Sequence, residues 1–198
     1  MAYTFHSSKT DGTPDQQVTS GQLNAILSPI TVAERLSGNT ENAKIWVTSD
    51  ADKLAYLGQM NPTAYSFCTF LSASDNDTEG DLTGSETKYG ALEVVSSLVE
   101  SIIVKDNANY TLARVGDTLY VKEAPYEIDT ITDNGDDTLT ITATIDYVSL
   151  PNAGEFVTTM FTMNLVTATA KSFWVRRDVE AGSSWSGGNI VITQKIGA

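Results

Sequence analysis

Hydrophobic and polar residues alternate with a period of two in the second half of the chain. The clearest case is residues 138–145, where Leu139, Ile141, Ala143 and Ile145 alternate with threonines. Successive side chains of a strand point to opposite faces of its sheet. The alternation therefore predicts a half-buried antiparallel strand whose aliphatic side chains face the core.

A turn signal precedes this strand. Asn134 and Gly135 follow the apolar residues 128–132, and such a dipeptide readily adopts the positive φ angles of a tight hairpin connection. We therefore expect residues 128–132 and residues 138–145 to pair as a hairpin.

A second turn signal, Gly116 followed by Asp117, separates residues 110–115 from residues 118–123 and predicts another hairpin. Further candidate strands are short and bounded by Gly, Asn or Asp: residues 43–48, 64–72, 92–105 with a break near Ser96, 156–166, 171–179 and 189–195. Short strands between such turns favour a sandwich or barrel over parallel β–α–β units. We predict an all-β fold, an antiparallel β-sandwich with a barrel-like β insertion.

Helices are expected only near the N-terminus. Thr19 and Thr31 are each followed three residues later by Gln or Glu, which is the spacing of a capping box. The helix after the first threonine would end at Pro29, and the helix after the second would end at Gly38. The sequence thus predicts one or two short N-terminal helices.

Two segments that contain tryptophan lie near opposite ends of the chain, at residues 44–47 and 172–175. From this arrangement we expect the N-terminal and C-terminal segments, residues 19–88 and 149–198, to share one β-sandwich. Residues 89–148 would then form the barrel-like insertion.

The rival arrangement divides the chain into residues 1–105 and residues 106–198. In either arrangement residues 1–18 are predicted to form a flexible arm unless a neighbouring segment holds them. The polar residues 7–17 carry too little apolar surface to offset the entropy lost on ordering.

Composition limits the classes of partner. The chain has 198 residues, of which 41% are hydrophobic, so it can bury a sizeable core. Its 25 acidic and 12 basic residues give a formal charge of −13, which opposes binding to nucleic acids and to anionic membranes. No apolar run approaches the roughly 18 residues needed to cross a bilayer, and the N-terminus lacks the pattern of a secretory signal. We expect synthesis and assembly in the cytoplasm.

The usual catalytic side chains are scarce. The chain has one histidine, His6, and one cysteine, Cys68, which we interpret as a small buried hydrophobic residue. A Ser-His-Asp unit, a zinc cluster and a phosphate-binding glycine loop are therefore not predicted. Acidic pairs such as those among Asp133, Asp136 and Asp137 leave a hydrolase as a weaker alternative, although turn formation explains these residues as well. We expect a non-enzymatic protein.

The strongest candidate site is an acidic stretch at residues 75–86, whose spacing almost matches the calcium-binding loop of an EF-hand. Gly80 falls at the sharp turn of that loop. The candidate oxygen ligands for Ca²⁺ are Asp75, Asp77, Glu79, Asp81 and Glu86. The flanking segments resemble strands rather than helices, so a solvated acidic linker is the alternative interpretation.

Three residues are candidates for an interface. Trp185 lies in a loop rich in glycine and serine, where an exposed aromatic side chain often contacts a partner. It could instead fold back over its own sheet. Arg176 and Arg177 are neighbours on a predicted strand, so one should face solvent and the other the interior or an adjoining subunit. A buried arginine would need a carboxylate partner, within this chain or in another subunit.

Several short phrases along the chain carry a family resemblance. Residues 18–24 begin with VTSG and end with LN, residues 31–40 fit T-x-AER-x-x-G-x-T, and residues 44–47 read KIWV. Residues 75–90 close on GSE-x-x-YG, and WVRRDVEAG within residues 173–192 resembles W-x-R-x-V-x-AG with one extra residue before the valine. These phrases resemble structural proteins of Mu-like bacteriophages and prophages.

The resemblance implies a structural component of the virion, from the head (capsid), connector, tail or baseplate, that acts through protein–protein assembly. It implies a homo-oligomer that also contacts other virion proteins. The alternative function is a carbohydrate- or calcium-binding β-sandwich module, such as an adhesin or a receptor-binding domain. Exposed tryptophan and tyrosine side chains would form the sugar platform in that case.

Overall fold

Antiparallel strands dominate the computed structural model, which describes residues 3–18, 27, 30–59, 66–107, 110–122, 124–182 and 194–197. The strands, in chain order, are β1 (Tyr3–Ser8), β2 (Pro14–Val18), β3 (Asn39–Ser49), β4 (Lys53–Gln59), β5 (Ser66–Phe70), β6 (Lys88–Tyr89), β7 (Ala91–Ser97), β8 (Ile102–Lys105), β9 (Thr118–Val121), β10 (Ala124–Asp133), β11 (Thr138–Ala143), β12 (Phe156–Leu165), β13 (Lys171–Val179) and β14 (Gln194–Gly197). The predicted all-β class is confirmed.

A six-stranded sheet joins segments from both ends of the chain, in the order β2-β1-β3-β13-β5-β6. Its central pair is β3 and β13, which run antiparallel from Asn39 opposite Val179 to Val47 opposite Lys171. The two tryptophan-containing segments singled out in the sequence are therefore adjacent strands. Aliphatic and aromatic side chains at alternate positions of this pair are buried on one face of the sheet.

Six strands of the second, eight-stranded sheet close into a barrel. Its six strands follow the order β12-β7-β8-β11-β10-β9, and β9 pairs again with β12 to close the ring. The sixth strand comes from residues 156–160, beyond the 89–148 segment for which the barrel-like insertion was predicted. Pairing of β8 with β11 also crosses the boundary at residue 105 that the rival division proposed.

Strand β12 connects the barrel to the rest of the molecule. Its first half pairs with β7 and β9 in the barrel, whereas Phe161–Leu165 pairs with β4, which in turn pairs with β14. Phe161, Met163 and Leu165 alternate along this second half and pack with the buried face of β3 and β13. This packing forms a sandwich core, whose other buried members are Leu27, Ile45, Val47, Phe173, Val175 and Val179.

A second apolar core fills the barrel and extends under the six-stranded sheet. Its members share near-complete burial and come mostly from β7 to β12: Cys68, Phe70, Leu92, Val94, Ile102, Val104, Tyr110, Leu112, Ala113, Leu119, Val121, Tyr126, Ile128, Ile141, Tyr147, Val157 and Trp174. Burial of this much apolar surface is the main driving force for folding.

The helix α1 (Val32–Ser37) forms where the second capping box predicted it. The Thr31 hydroxyl accepts a hydrogen bond from the Glu34 amide, and the Glu34 carboxylate accepts one from the Thr31 amide. Gly38 follows at φ = 80° and ends the helix. The other predicted helix, after Thr19, falls outside the described residues except for Leu27.

The N-terminal residues 3–18, predicted to be flexible unless a neighbour held them, form a hairpin on the edge of the six-stranded sheet. Strand β1 pairs with β3, placing His6 opposite Trp46, and β2 pairs with β1. The indole nitrogen of Trp46 donates a hydrogen bond to the Gly12 carbonyl oxygen at 3.1 Å. The neighbour that holds the segment is thus β3.

The hairpin of β10 and β11 is confirmed, with Ile131 opposite Ile141. Its connecting residues take positive φ at Gly135 and Asp137. The strand ends at Ala143, earlier than predicted, so Ile145 lies beyond it and is exposed. The break predicted near Ser96 is also present, since the register shifts between Val94 and Ser96.

The second predicted hairpin is wrong. Residues 110–117 contain no strand, and β9 pairs instead with β10 and β12. Tyr110, Leu112 and Ala113 are buried in the barrel core, and the Leu112 carbonyl oxygen accepts a hydrogen bond from the Thr159 hydroxyl. The apolar residues of this segment therefore fill the barrel rather than pair along it.

Candidate functional site

The acidic loop, residues 72–87, covers the face of the six-stranded sheet opposite the sandwich core. Asp75 anchors the loop to the start of β13: its carboxylate accepts hydrogen bonds from the Ser172 amide at 2.7 Å and from the Lys171 ammonium at 3.0 Å. Ser72 holds the other side, because its hydroxyl accepts a hydrogen bond from the Trp174 indole at 3.1 Å.

A lysine side chain lies inside this loop. Lys44 projects from β3, is only 6% exposed, and donates hydrogen bonds to the carbonyl oxygens of Asp75 at 2.5 Å and Asp77 at 2.7 Å. Its ammonium nitrogen is 4.6 Å from the ring centroid of Trp46 and 5.8 Å from that of Trp174. Backbone oxygens and two aromatic faces thus surround the charge.

The electrostatics of the loop follow from this arrangement. Burial lowers the pKa of Lys44 below its ordinary value, and the nearby Asp75, Asp77 and Asp81 carboxylates only partly oppose that shift. Burial of Asp75 favours its neutral form, but the hydrogen bonds from Ser172 and Lys171 outweigh burial, so the pKa of Asp75 lies below its ordinary value. Both groups are held in place by specific partners.

The other candidate calcium ligands each accept hydrogen bonds from different groups. The Asp77 carboxylate accepts from the Ser74 amide, the Glu79 carboxylate from the Asn42 amide group, and the Asp81 carboxylate from Thr78. The Glu86 carboxylate accepts from the Thr83 amide at 2.6 Å. Among the described residues, no three His, Cys, Asp or Glu side chains group as metal ligands. Calcium binding by this loop stays a prediction.

The two candidate arginines lie on opposite faces of β13. Arg177 is buried and its guanidinium pairs with the Glu41 carboxylate, directly across the strand pair. Arg176 is partly exposed, and its Nε donates to the Asp178 carboxylate at 3.2 Å. The carboxylate partner expected for a buried arginine is therefore within the chain. Trp185, the third candidate, falls outside the described residues.

The other groups weighed for chemistry have structural surroundings. Cys68 is fully buried, and burial raises the pKa of its thiol to about 12. Asp133 and Asp136 accept hydrogen bonds from Gly135 and Thr138 within their own turn. These contacts are the ones that local turn chemistry predicts.

Sequence reasoning missed a basic depression of about 310 Å³, lined by Gly84, Glu86, Lys88, Tyr110, Thr111, Arg114 and Arg176. Three of these lining residues are cationic and one is acidic. The cations come from distant parts of the sequence, at positions 88, 114 and 176, so no local motif marks them.

Sequence reasoning also missed an apolar surface at one end of the barrel, which we call the apolar barrel end. The loop of residues 98–101 lies beside residues 145–151, because the Tyr147 amide donates to the Val99 carbonyl at 2.8 Å and the Ser97 hydroxyl to the Pro151 carbonyl at 2.7 Å. The aliphatic side chains of these loops are exposed: Leu98, Val99, Ile145, Val148 and Leu150. The sequence did contain a local sign of this surface, because two aliphatic residues, Val148 and Leu150, come just after the last predicted strand of the hairpin.

Comparison with protein-family models, with curated proteins and with solved structures finds no match for this chain. Among the described residues, no helix has the length and apolar character that crossing a membrane requires.

Proposed function

We propose that this chain is a non-enzymatic structural component of a phage or prophage particle and acts through protein–protein assembly. The resemblance of its short phrases to Mu-like virion proteins supports the phage part. The apolar barrel end supports the assembly part, and it is the observation on which the proposal rests.

The barrel end has the character of a contact surface. Val148 is 90% exposed and Leu98 is 64% exposed, and their loops are joined by one backbone hydrogen bond and one from the Ser97 hydroxyl. Contiguous exposed apolar groups are costly in water and commonly mark protein–protein contacts. The cost is removed when a neighbouring subunit covers the surface.

The occupant that we propose is a second copy of this chain, in a two-fold contact between barrel ends, because the resemblance implies a homo-oligomer. Glu100 and Asp146 border the aliphatic side chains, and residues 123–170 contain no lysine or arginine. A contact between two copies therefore combines apolar attraction with repulsion between the acidic borders. Since salt screens the repulsion and leaves the apolar term in place, association should strengthen as salt rises.

The ionisable groups support a non-enzymatic role. Lys44, Asp75 and Cys68 have shifted pKa values. The Lys44 ammonium donates to a backbone carbonyl oxygen, and the Asp75 carboxylate accepts from β13. The Cys68 thiol is buried in the barrel core. Burial or contacts within the chain thus account for each of these three shifts.

Sedimentation velocity tests the contact. Raising the salt from about 0.01 M to about 0.1 M shortens the Debye length from about 30 Å to about 10 Å and should shift the chain toward a dimer or larger species. Leu98→Asp combined with Val148→Asp should keep it monomeric. Leu36→Asp is the matched control, because Leu36 is an exposed aliphatic residue on α1, away from the barrel.

A monomer at every salt and protein concentration would contradict the proposed contact, as would loss of association in the Leu36→Asp control.

Mass spectrometry of particles purified from the bacterium that carries the gene tests the phage part. Many copies per particle are expected, and absence from purified particles would contradict that part of the proposal.

A further inference from the structure

Backbone carbonyl groups position two of the three cations of the basic depression, and each of the three cations also has one carboxylate within 4.0 Å. Lys88 donates hydrogen bonds to the carbonyl oxygens of Gly84 at 2.7 Å and Glu86 at 2.8 Å. The Glu86 carboxylate itself is 4.0 Å away. Neutral carbonyl groups therefore orient the ammonium, and its nearest carboxylate lies at the limit of an ion pair.

Arg114 is held in the same way. Its terminal nitrogens donate to the carbonyl oxygens of Lys88 at 3.1 Å and Thr111 at 2.7 Å, and the Asp117 carboxylate lies 3.6 Å away. Burial raises the pKa of Asp117 above its ordinary value even though Arg114 opposes the shift. Asp117 is therefore the carboxylate that faces this guanidinium, while the two carbonyl oxygens orient it.

Arg176 presents the most available donors. Its Nε donates to the Asp178 carboxylate, and its guanidinium carbon is 5.8 Å from the ring centroid of Tyr110. Within the described part of the chain, its two terminal nitrogens have no hydrogen-bond partner. Such a pair of parallel N–H groups matches the two oxygens of a carboxylate or phosphate.

The surrounding charge makes this grouping unusual. The chain has 12 basic residues against 25 acidic ones, yet three cations line one depression that contains a single carboxylate. Tyr110 supplies an aromatic wall beside Arg176, whose guanidinium lies over the ring in a cation–π contact. The site is thus formed before any ligand arrives, which lowers the cost of binding.

We propose that the depression lined by Lys88, Arg114 and Arg176 binds an oxyanion, either a carboxylate or a phosphate group. The terminal nitrogens of Arg176 take two oxygens of the anion, and Lys88 and Arg114 supply the remaining positive field. This site is separate from the barrel end, so the proposal does not depend on the assembly role.

Isothermal titration at constant ionic strength tests the site with two probes, inorganic phosphate and citrate, in chloride buffer. Saturable binding of at least one probe is expected, and comparison of the two identifies the preferred oxyanion. Arg176→Gln should weaken that binding by roughly tenfold or more, as expected for loss of a charged hydrogen-bonding pair. Arg176→Lys keeps the charge but not the paired donors, and it should also bind more weakly than wild type.

Lys105→Gln is the matched control, because Lys105 is an exposed cation on β8 that pairs with Glu93 outside the depression. It should bind the probe as wild type does. An unchanged far-UV circular dichroism spectrum would show that each variant is folded. Absence of saturable binding for both probes, or an equal loss in Lys105→Gln, would overturn the proposal.

Discussion

The ammonium group of Lys44 donates a hydrogen bond to the carbonyl oxygen of Asp75, across 31 positions of sequence. The side-chain carboxylate of Asp75 also accepts a hydrogen bond from the Ser172 amide. Asp75 therefore joins two strands of the six-stranded sheet, β3 and β13, through its backbone and its carboxylate. The acidic loop is organised around a cation that the protein itself supplies.

Replacing Lys44 tests this organisation. Lys44→Met keeps the apolar stem but leaves the Asp75 and Asp77 carbonyl oxygens without their donor, and an unsatisfied buried polar group costs about 1–3 kcal/mol. We expect a loss of that size in the free energy of unfolding, measured by urea denaturation. Lys105→Met, at an exposed ion pair, should cost less than about 1 kcal/mol. Equal stabilities for the two variants would show that the buried ammonium is dispensable.

The Asp75 carboxylate predicts a dependence of stability on pH. Its pKa in the folded state lies below the ordinary value of 3.8, so its ionised form stabilises the fold above that value. The contribution is lost as pH falls through the folded-state pKa. We expect Asp75→Asn to be less stable than wild type at pH 7 and to show a smaller further loss between about pH 4 and pH 2.

Thermal unfolding followed by circular dichroism across that pH range measures the effect. Asp129→Asn, at an exposed position of β10, controls for the removal of a carboxylate as such. If Asp75→Asn lost stability with acid as steeply as wild type, the contacts to β13 would not be the source of the pH dependence.

Gly38 is expected to be intolerant of a side chain. It has φ = +80°, and a Cβ atom there would lie 3.2 Å from the Val179 carbonyl oxygen and 3.3 Å from the Ala181 amide nitrogen. Gly84 has nearly the same φ, +82°, but a Cβ atom there would have no neighbour within 4 Å. An alanine at either position is strained by the positive φ, and Gly38→Ala should lose more stability because its ψ of 154° lies in a region that essentially only glycine adopts and because of the added contacts.

Chemical denaturation of Gly38→Ala and Gly84→Ala measures the difference between their free energies of unfolding. A Gly38→Ala protein as stable as Gly84→Ala would mean that the chain after β13 moves aside without cost.

Cys68 should be unreactive in the native protein. Burial raises the pKa of its thiol to about 12, and the reactive species is the thiolate. Labelling with a thiol reagent at pH 8 should be slow in buffer and fast in urea, where the ordinary pKa of about 8.5 applies. Rapid labelling of the folded chain would place the thiol at the surface.

Local signals were sufficient for much of the fold. The alternation in residues 138–145 and the turn at Asn134 and Gly135 specify the β10–β11 hairpin, because strand period and turn conformation are properties of neighbouring residues. The capping box at Thr31 and Glu34 likewise specifies α1. These interactions span only a few residues, so they are visible in the sequence.

The features that depend on distant contacts were not predictable. Residues 110–115 have the composition of a strand, but Leu112 is buried in a barrel core whose other walls lie far along the chain. The carbonyl oxygens that bind Lys44 have no sequence signature, because every residue carries one. The acidic side chains suggested a metal loop, whereas backbone groups make the contacts to the ammonium.

From its pairing, we expect strand β12 to carry tension between the barrel and the sandwich core. Because its first half belongs to the barrel and Phe161–Leu165 pairs with β4, tension applied at the barrel end runs along one continuous backbone. The ladders on both sides of that strand are then loaded lengthwise, so many hydrogen bonds must break together before the strand slides.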